Sequence, residues 1–143
     1  MAHNRARLEK YQAPVAIKLA LLWASLMFLY IYNDYFALYM PGTIQAMSQG
    51  RMGPLGPATP GVMVAVSMLL AVPAAMIFLS AALPPMLSKW LNVFLGLVYT
   101  AVEALTFAGP HLFYKIVVAI EIVASLLIVF YALRWPKQKT AEV

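Results

Sequence analysis

Four long apolar stretches, separated by segments rich in proline, glycine or charge, dominate this chain. They cover residues 14–39, 61–83, 89–108 and 111–135, and each is close to the ~20 residues that a helix needs to cross a bilayer. Two of the three connections are short, so neighbouring helices are expected to pack antiparallel. The pattern predicts an all-α integral membrane protein: an antiparallel bundle of four transmembrane helices in one domain.

Composition supports the same fold class. The 143 residues are 64% hydrophobic and only 10% charged, and a soluble domain of this size has too small an interior for so much apolar surface. The net charge of +5 is not a nucleic-acid signal, because the basic residues flank the apolar stretches. The predicted partner is therefore the lipid bilayer, and no nucleic acid.

Lysine and arginine are distributed unevenly between the two ends of the predicted helices. One end carries eight of them, and the other carries only Arg51 and Lys115. Positive charge concentrates on the cytoplasmic side of membrane proteins, so both termini are predicted to be cytoplasmic. The eight residues are Arg5, Arg7, Lys10, Lys18, Lys89, Arg134, Lys137 and Lys139.

The long connection, residues 40–60, is rich in glycine and proline. These residues exclude a long helix, although residues 43–49 can form a short interfacial turn. A loop of this length is usually a flexible connector or a lid. Two interpretations follow: a solvated linker, or a cover over a site that opens to the outer side.

Three of the five acidic residues, Asp34, Glu103 and Glu121, lie inside the apolar stretches. An ionisable side chain at bilayer depth costs about 2.5–3.5 kcal/mol even on the lenient insertion scale, so such residues usually have a function. Helical rise places all three between the outer surface and mid-membrane. They are the first candidates for a ligand-binding site.

Helical periodicity groups each acid with polar or aromatic companions on faces expected to line the bundle interior. The three faces are Trp23, Met27, Tyr30 and Asp34; Asn92, Gly96, Tyr99, Glu103 and Thr106; and Tyr114, Val118, Glu121 and Ser125. Tyrosine hydroxyls can hydrogen-bond a carboxylate, and their rings can hold a cation. The predicted ligand-binding set is Tyr30, Asp34, Tyr99, Glu103, Tyr114, Lys115 and Glu121.

Two interpretations of the acids remain open. Polar groups between membrane helices can act as structural glue, at about 0.6 kcal/mol per hydrogen bond, and Lys115 can neutralise Asp34 or Glu103. Three acids against one lysine nevertheless leave about two negative charges to be protonated, hydrated from an outer cavity or paired with an external cation.

The segment Tyr30–Gly42 reads Y-I-Y-N-D-Y-F-A-L-Y-M-P-G. It resembles the Y-x-Y-x-D-Y-F-x-L-Y-x-P-G segment of a bacterial family of functionally uncharacterised four-helix membrane proteins, which is similar to the broad DoxX-like group. The resemblance covers nearly the whole chain in length and number of spans. It implies the bacterial inner membrane and points to Asp34 and its tyrosines as family features, but it supplies no activity.

The resulting hypothesis is a small binding or accessory protein with an acidic, tyrosine-lined pocket open to the outer side. The pocket is expected to take a small cationic or amphiphilic ligand, or a helix of another membrane protein. The alternatives are a small proton- or cation-coupled transporter, against which stands the lack of a visible internal repeat, and a structural subunit of a membrane complex.

No catalytic constellation is visible in the sequence, so no enzymatic activity is predicted. The chain has no cysteine and only two histidines, one of them the tail residue His3. No cofactor and no metal site are therefore expected.

Overall fold

The computed structural model describes residues 12–108 and 111–137. Over these residues the chain is all-α, with five α-helices and one 3-10 turn at Gly53–Leu55. The helices are α1 (Val15–Ala37), α2 (Thr43–Ser48), α3 (Pro60–Ala82), α4 (Pro85–Thr106) and α5 (Leu112–Leu133). Three of them, α1, α3 and α5, are long and apolar enough to span a membrane. The tail residues His3, Arg5, Arg7, Lys10 and Lys139 lie outside the described residues.

The four long helices match the four predicted stretches to within four residues at each end. The largest difference is at the start of α4, which begins at Pro85 rather than at residue 89. Proline suits the first helical position because its fixed φ is already helical and its missing N–H is not needed there. Pro60 opens α3 in the same way, and the Thr59 hydroxyl oxygen accepts a hydrogen bond of 3.3 Å from the N–H of Val62.

The long helices pack in the order α3–α1–α5–α4, and a smaller contact between α3 and α4 closes the ring. Contacts between side chains show in which direction each helix runs relative to its neighbours. Lys18 lies over Tyr131 and Asn33 bonds Glu121, so α1 and α5 run antiparallel. Helices α1 and α4 lie diagonally across the ring and run parallel. We call the end that carries the 38–59 loop the upper end of the helices.

The buried apolar core between the helices is small, and much apolar surface faces outward. The core consists of Leu19, Trp23, Leu26, Met76, Val93, Tyr99, Ala124, Ile128 and Ala132. In contrast, Leu105, Phe78 and Leu112 are more than 70% exposed. Apolar surface of this extent is rare on soluble monomers and normal on helices covered by lipid.

The 38–59 loop has backbone hydrogen bonds of its own. The N–H of Met52 donates to the carbonyl of Gly56 at 2.7 Å, and the N–H of Ala58 donates to the carbonyl of Gly50 at 2.7 Å. The short turn predicted at 43–49 corresponds to α2. Gly42 precedes α2 with φ of 84°, a left-handed conformation that favours glycine. A cavity of about 420 Å³ lies in this loop, lined by Gly42, Gln45, Ala46, Gln49, Arg51 and Gly53.

Candidate functional site

Buried polar side chains gather in two layers between the long helices. The lower layer contains Trp23, Ser80, Ser88 and Asn92. The upper layer contains Tyr30, Asn33, Thr100, Glu103, Glu121 and Ser125. The two layers differ in how completely their hydrogen-bonding groups are satisfied.

The lower layer is a complete network around the amide of Asn92. Its oxygen accepts hydrogen bonds from the indole N–H of Trp23 at 2.7 Å and from the hydroxyl of Ser80 at 3.1 Å. Its Nδ2 donates to the carbonyl oxygen of Ser88 at 2.8 Å and to the Ser88 hydroxyl at 3.3 Å. All four residues are fully buried. Because every polar atom of Asn92 is paired, this layer joins α1, α3 and α4 without leaving an unmet group.

Glu103 forms the centre of the upper layer. Its side chain is 3% exposed, and both carboxyl oxygens accept hydrogen bonds. The hydroxyl of Tyr30 on α1 donates to Oε1 at 2.5 Å, and the hydroxyl of Ser125 on α5 donates to Oε2 at 2.7 Å. Glu103 on α4 therefore connects three helices through two neutral donors.

A chain of hydroxyl groups extends from Glu103. The hydroxyls of Thr100 and Ser125 are 2.8 Å apart, and Thr100 also reaches the carbonyl of Gly96 at 2.7 Å. Each hydroxyl has one proton to donate. With Ser125 donating to Glu103, Thr100 can donate to Ser125 or to Gly96. The chain stays satisfied with Glu103 ionised, and equally with a proton on Oε2 that reverses the Ser125 bond.

Glu121 has weaker partners than Glu103. Its side chain is also 3% exposed, and its Oε1 lies 3.5 Å from Nδ2 of Asn33, a long hydrogen bond. Asn33 is 6% exposed, and its own carbonyl oxygen Oδ1 accepts no hydrogen bond from the described residues. This part of the upper layer has more acceptors than donors.

Among the residues that the structure describes, no basic side chain pairs with either of the two buried carboxyl groups. Lys115 is half-buried and makes no side-chain hydrogen bond with either glutamate. The pairing of Lys115 with Asp34 or Glu103, which the structural interpretation of the acids allowed, is not seen. Within residues 12–108 and 111–137, no group of three or more His, Cys, Asp or Glu residues is arranged to hold a metal ion.

The tyrosines predicted to line the site occupy different environments. Tyr30 bonds Glu103, as its spacing suggested. Tyr99 is buried on the same face of α4 as Glu103, but its hydroxyl donates to the backbone carbonyl of Leu69 on α3. Its ring stands edge-on to Trp23 at 5.6 Å. Tyr114 is half-buried at the upper end of α5 and makes an edge contact with Phe113 at 6.3 Å.

The predicted inward position of Asp34 is wrong. Asp34 is exposed and makes no side-chain hydrogen bond with the described residues, whereas its neighbour Asn33 is buried against Glu121. The 4-3 spacing of an interior helix face gives the signal that was missed, since it leads to Asn33 and not to Asp34. The residues at that spacing are Leu19, Trp23, Leu26, Tyr30 and Asn33.

Basic residues at the lower end of the helices lie over aromatic rings. Lys18 lies 5.5 Å from the ring centre of Tyr131, and Arg134 lies 4.3 Å from that of Phe130. Lys89 is similarly placed over Trp90 at 5.5 Å. Such pairs are typical of a membrane–water boundary, where aromatic residues and cations meet.

Together these features define a small helical protein in which three helices are long and apolar enough for a membrane and the long helices enclose a carboxyl layer. The chain belongs to the Family of unknown function (DUF6326), whose model matches residues 8–142. No curated protein and no solved structure matches the chain. The relation to DoxX-like proteins and the family role of the Tyr30–Gly42 segment stay predictions.

Proposed function

We propose that this protein is a non-enzymatic binding or accessory protein of the bacterial inner membrane. It crosses the membrane four times and accepts a cationic ligand in the upper layer from the outer side. An amphiphilic cation or a basic helix of another membrane protein remains within this proposal.

The distribution of polar and apolar side chains around α4 supports its assignment as a membrane span in addition to α1, α3 and α5. Its polar side chains Ser88, Asn92 and Glu103 are buried against the other helices, whereas Phe94 and Leu97 are exposed. Ionisable and amide groups in membrane helices face the interior of the bundle in this way. The 22 residues of α4 are also long enough to cross the hydrocarbon core.

The charge distribution supports cytoplasmic termini. Of the basic residues that the structure describes, Lys18, Lys89, Arg134 and Lys137 lie at the lower end, and Arg51 and Lys115 lie toward the upper end. The positive-inside rule then places the lower end in the cytoplasm. The upper layer lies nearer the outer surface in this orientation.

One observation carries the proposed function: two carboxyl groups, each 3% exposed, receive hydrogen bonds from neutral side chains and from no basic side chain of residues 12–108 and 111–137. An uncompensated carboxylate at bilayer depth is costly, and a bound cation removes that cost. A ligand with positive charge is therefore stabilised more in this layer than a neutral ligand of the same size.

The test is thermal unfolding of the purified protein in detergent, at constant ionic strength, with a panel of cations. The panel contains tetraalkylammonium ions, a cationic amphiphile, and alkali-metal and alkaline-earth salts. We expect at least one cation to raise the melting temperature of the wild type and of Asp34→Asn, whose side chain is exposed, but not of Glu121→Gln. If no cation of the panel raises the melting temperature in a way that depends on Glu121, the proposal is overturned and the upper layer has a structural role.

A further inference from the structure

The carbonyl oxygen of Asn33 is the one buried side-chain polar atom of the described residues that lacks a hydrogen-bond partner. Its residue is 6% exposed, so solvent does not supply a donor freely. A buried acceptor without a donor costs about 1–3 kcal/mol, which makes such groups uncommon in folded proteins. The unpaired oxygen therefore identifies a place where a hydrogen-bond donor or a cation is stabilised.

While the Glu121 carboxyl group is ionised, donors are too few in either orientation of the Asn33 amide. With Nδ2 toward Glu121, as in the structure, Oδ1 has no donor. Exchange of the two amide atoms places Oδ1 against Oε1 of Glu121, so that two acceptors face each other. In both orientations one planar amide and one carboxyl group lie together with fewer donors than acceptors.

The contrast with Asn92 shows that the fold can satisfy a buried amide completely. Both asparagines lie on long helices and are at least 94% buried. Asn92 has two donors to its oxygen and two acceptors for its nitrogen, all from neighbouring side chains or backbone. The deficit at Asn33 is thus local to the upper layer and coincides with the carboxyl group of Glu121.

We propose that Glu121 and Asn33 coordinate a monovalent metal cation of the sodium class, an inference that rests on the proposed function and names its ligand. Carboxylate and amide carbonyl oxygens are the ligands that hard cations prefer. Bound at this point, the cation supplies a positive charge that compensates the carboxylate of Glu121. It is also a partner for the unpaired Oδ1 of Asn33.

Size and charge favour a monovalent ion. The two side chains are buried, and the cavities in the 38–59 loop and at Phe28, Ile31, Tyr32 and Tyr35 do not include them. A small ion fits between two buried side chains more readily than a bulky organic cation does. A divalent cation usually gathers more carboxylates than the pair Glu103 and Glu121, whose first member already holds two donors.

The experiment measures the sodium-dependent shift in melting temperature, with N-methylglucamine replacing sodium at constant ionic strength. Wild-type protein should melt at least ~3 °C higher in saturating sodium, since a ligand that binds only the folded state stabilises it. Asn33→Leu and Glu121→Gln should lose the shift. Asn92→Leu, the matched control, should melt at a lower temperature but keep the full sodium shift.

Sodium NMR on the wild type gives a second readout if Asn33→Leu does not fold. Line broadening in the presence of protein, reversed by excess lithium and absent with Glu121→Gln, is the expected result. Equal sodium shifts in wild type and Glu121→Gln overturn the inference. A Glu121-dependent effect of organic cations without any sodium effect also overturns it but leaves the proposed function standing, whereas no cation effect at all overturns both.

Discussion

Tyr30 donates a hydrogen bond of 2.5 Å to Oε1 of Glu103, which joins two helices that lie diagonally across the ring. The two residues are 73 positions apart in the chain, and α3 lies between their helices in sequence. A bond of this kind in an apolar environment has few competing partners. It fixes the tilt of α1 against α4 at the level of the carboxyl layer.

Removal of the Tyr30 hydroxyl should destabilise the protein. We expect Tyr30→Phe to lower the free energy of unfolding by about 1 kcal/mol, because hydrogen bonds between membrane helices contribute about 0.6 kcal/mol on average and at most about 1.7 kcal/mol, and this one is short. Tyr32→Phe, on an exposed side chain of the same helix, is the matched control and should cause no measurable change. Unfolding in a denaturing detergent, followed by circular dichroism, checks both variants. Equal stability of the two would show that the Glu103 contact contributes nothing.

Two serines of α3 allow a similar comparison of a buried residue with an exposed one. Ser80 is fully buried and its hydroxyl donates to Asn92, whereas Ser67 is exposed. Ser80→Ala should reduce the free energy of unfolding by about 1 kcal/mol, since it removes one of the two donors to a buried amide oxygen. Ser67→Ala should leave it unchanged within about 0.5 kcal/mol. A Ser80→Ala variant as stable as the wild type contradicts a stabilising role for the Asn92 network.

Close approach of α4 and α5 depends on Gly96. A Cβ at this position would come within 2.7 Å of Cγ2 of Val129 and 3.3 Å of the carbonyl oxygen of Ser125. Valine is stiff at χ1 in a helix, so Gly96→Ala should force the helices apart and destabilise the protein by about 1 kcal/mol or more. Gly61→Ala, where nothing lies within 4 Å, should be neutral or slightly stabilising. Thermal unfolding of both variants decides; if Gly96→Ala melts no lower than Gly61→Ala, the packing explanation fails.

The proposed topology can be tested with single cysteines, because the natural chain has none. Arg51→Cys lies on the exposed 38–59 loop, and Lys137→Cys lies just beyond the lower end of α5. A membrane-impermeant maleimide should label Arg51→Cys in intact cells, and Lys137→Cys only after the inner membrane is permeabilised. Labelling of both positions in intact cells would place both ends of the helices outside and contradict four spans with cytoplasmic termini.

Periodicity located the interior face of α4 correctly except at Thr106, which is exposed at the end of the helix. On α1 it was right at Trp23 and Tyr30 and wrong by one residue at Asp34. On α4 the polar residues Ser88, Asn92 and Glu103 all lie on one side, so the sequence indicates which face of the helix points inward. On α1 the outward surface is as apolar as the interior, as expected of a helix covered by lipid. Hydrophobicity therefore does not indicate which face of α1 points inward. The one acidic residue of α1, Asp34, therefore determined the predicted face, although Asn33 is the inward residue.

The lengths of the four long helices were predictable from the sequence, but the partners of their polar groups were not. The bond from Tyr99 to the carbonyl of Leu69 and the role of Thr100 depend on which helices lie opposite α4. Helix order around the ring is a tertiary property, and the short connections restrict it without determining it. The lack of a donor to Oδ1 of Asn33 likewise depends on the positions of all its neighbours, which the sequence does not give.

The two polar layers also limit how α1 and α4 can move. Trp23 and Asn92 join them in the lower layer, and Tyr30 and Glu103 join them in the upper layer. A slide of one helix along the other by a single turn, about 5.4 Å, would break both bonds at once. A tilt about Asn92 breaks only the upper bond and leaves the complete lower network intact. We therefore expect the lower layer to act as a pivot, so that any opening toward the carboxyl groups takes place at the upper end.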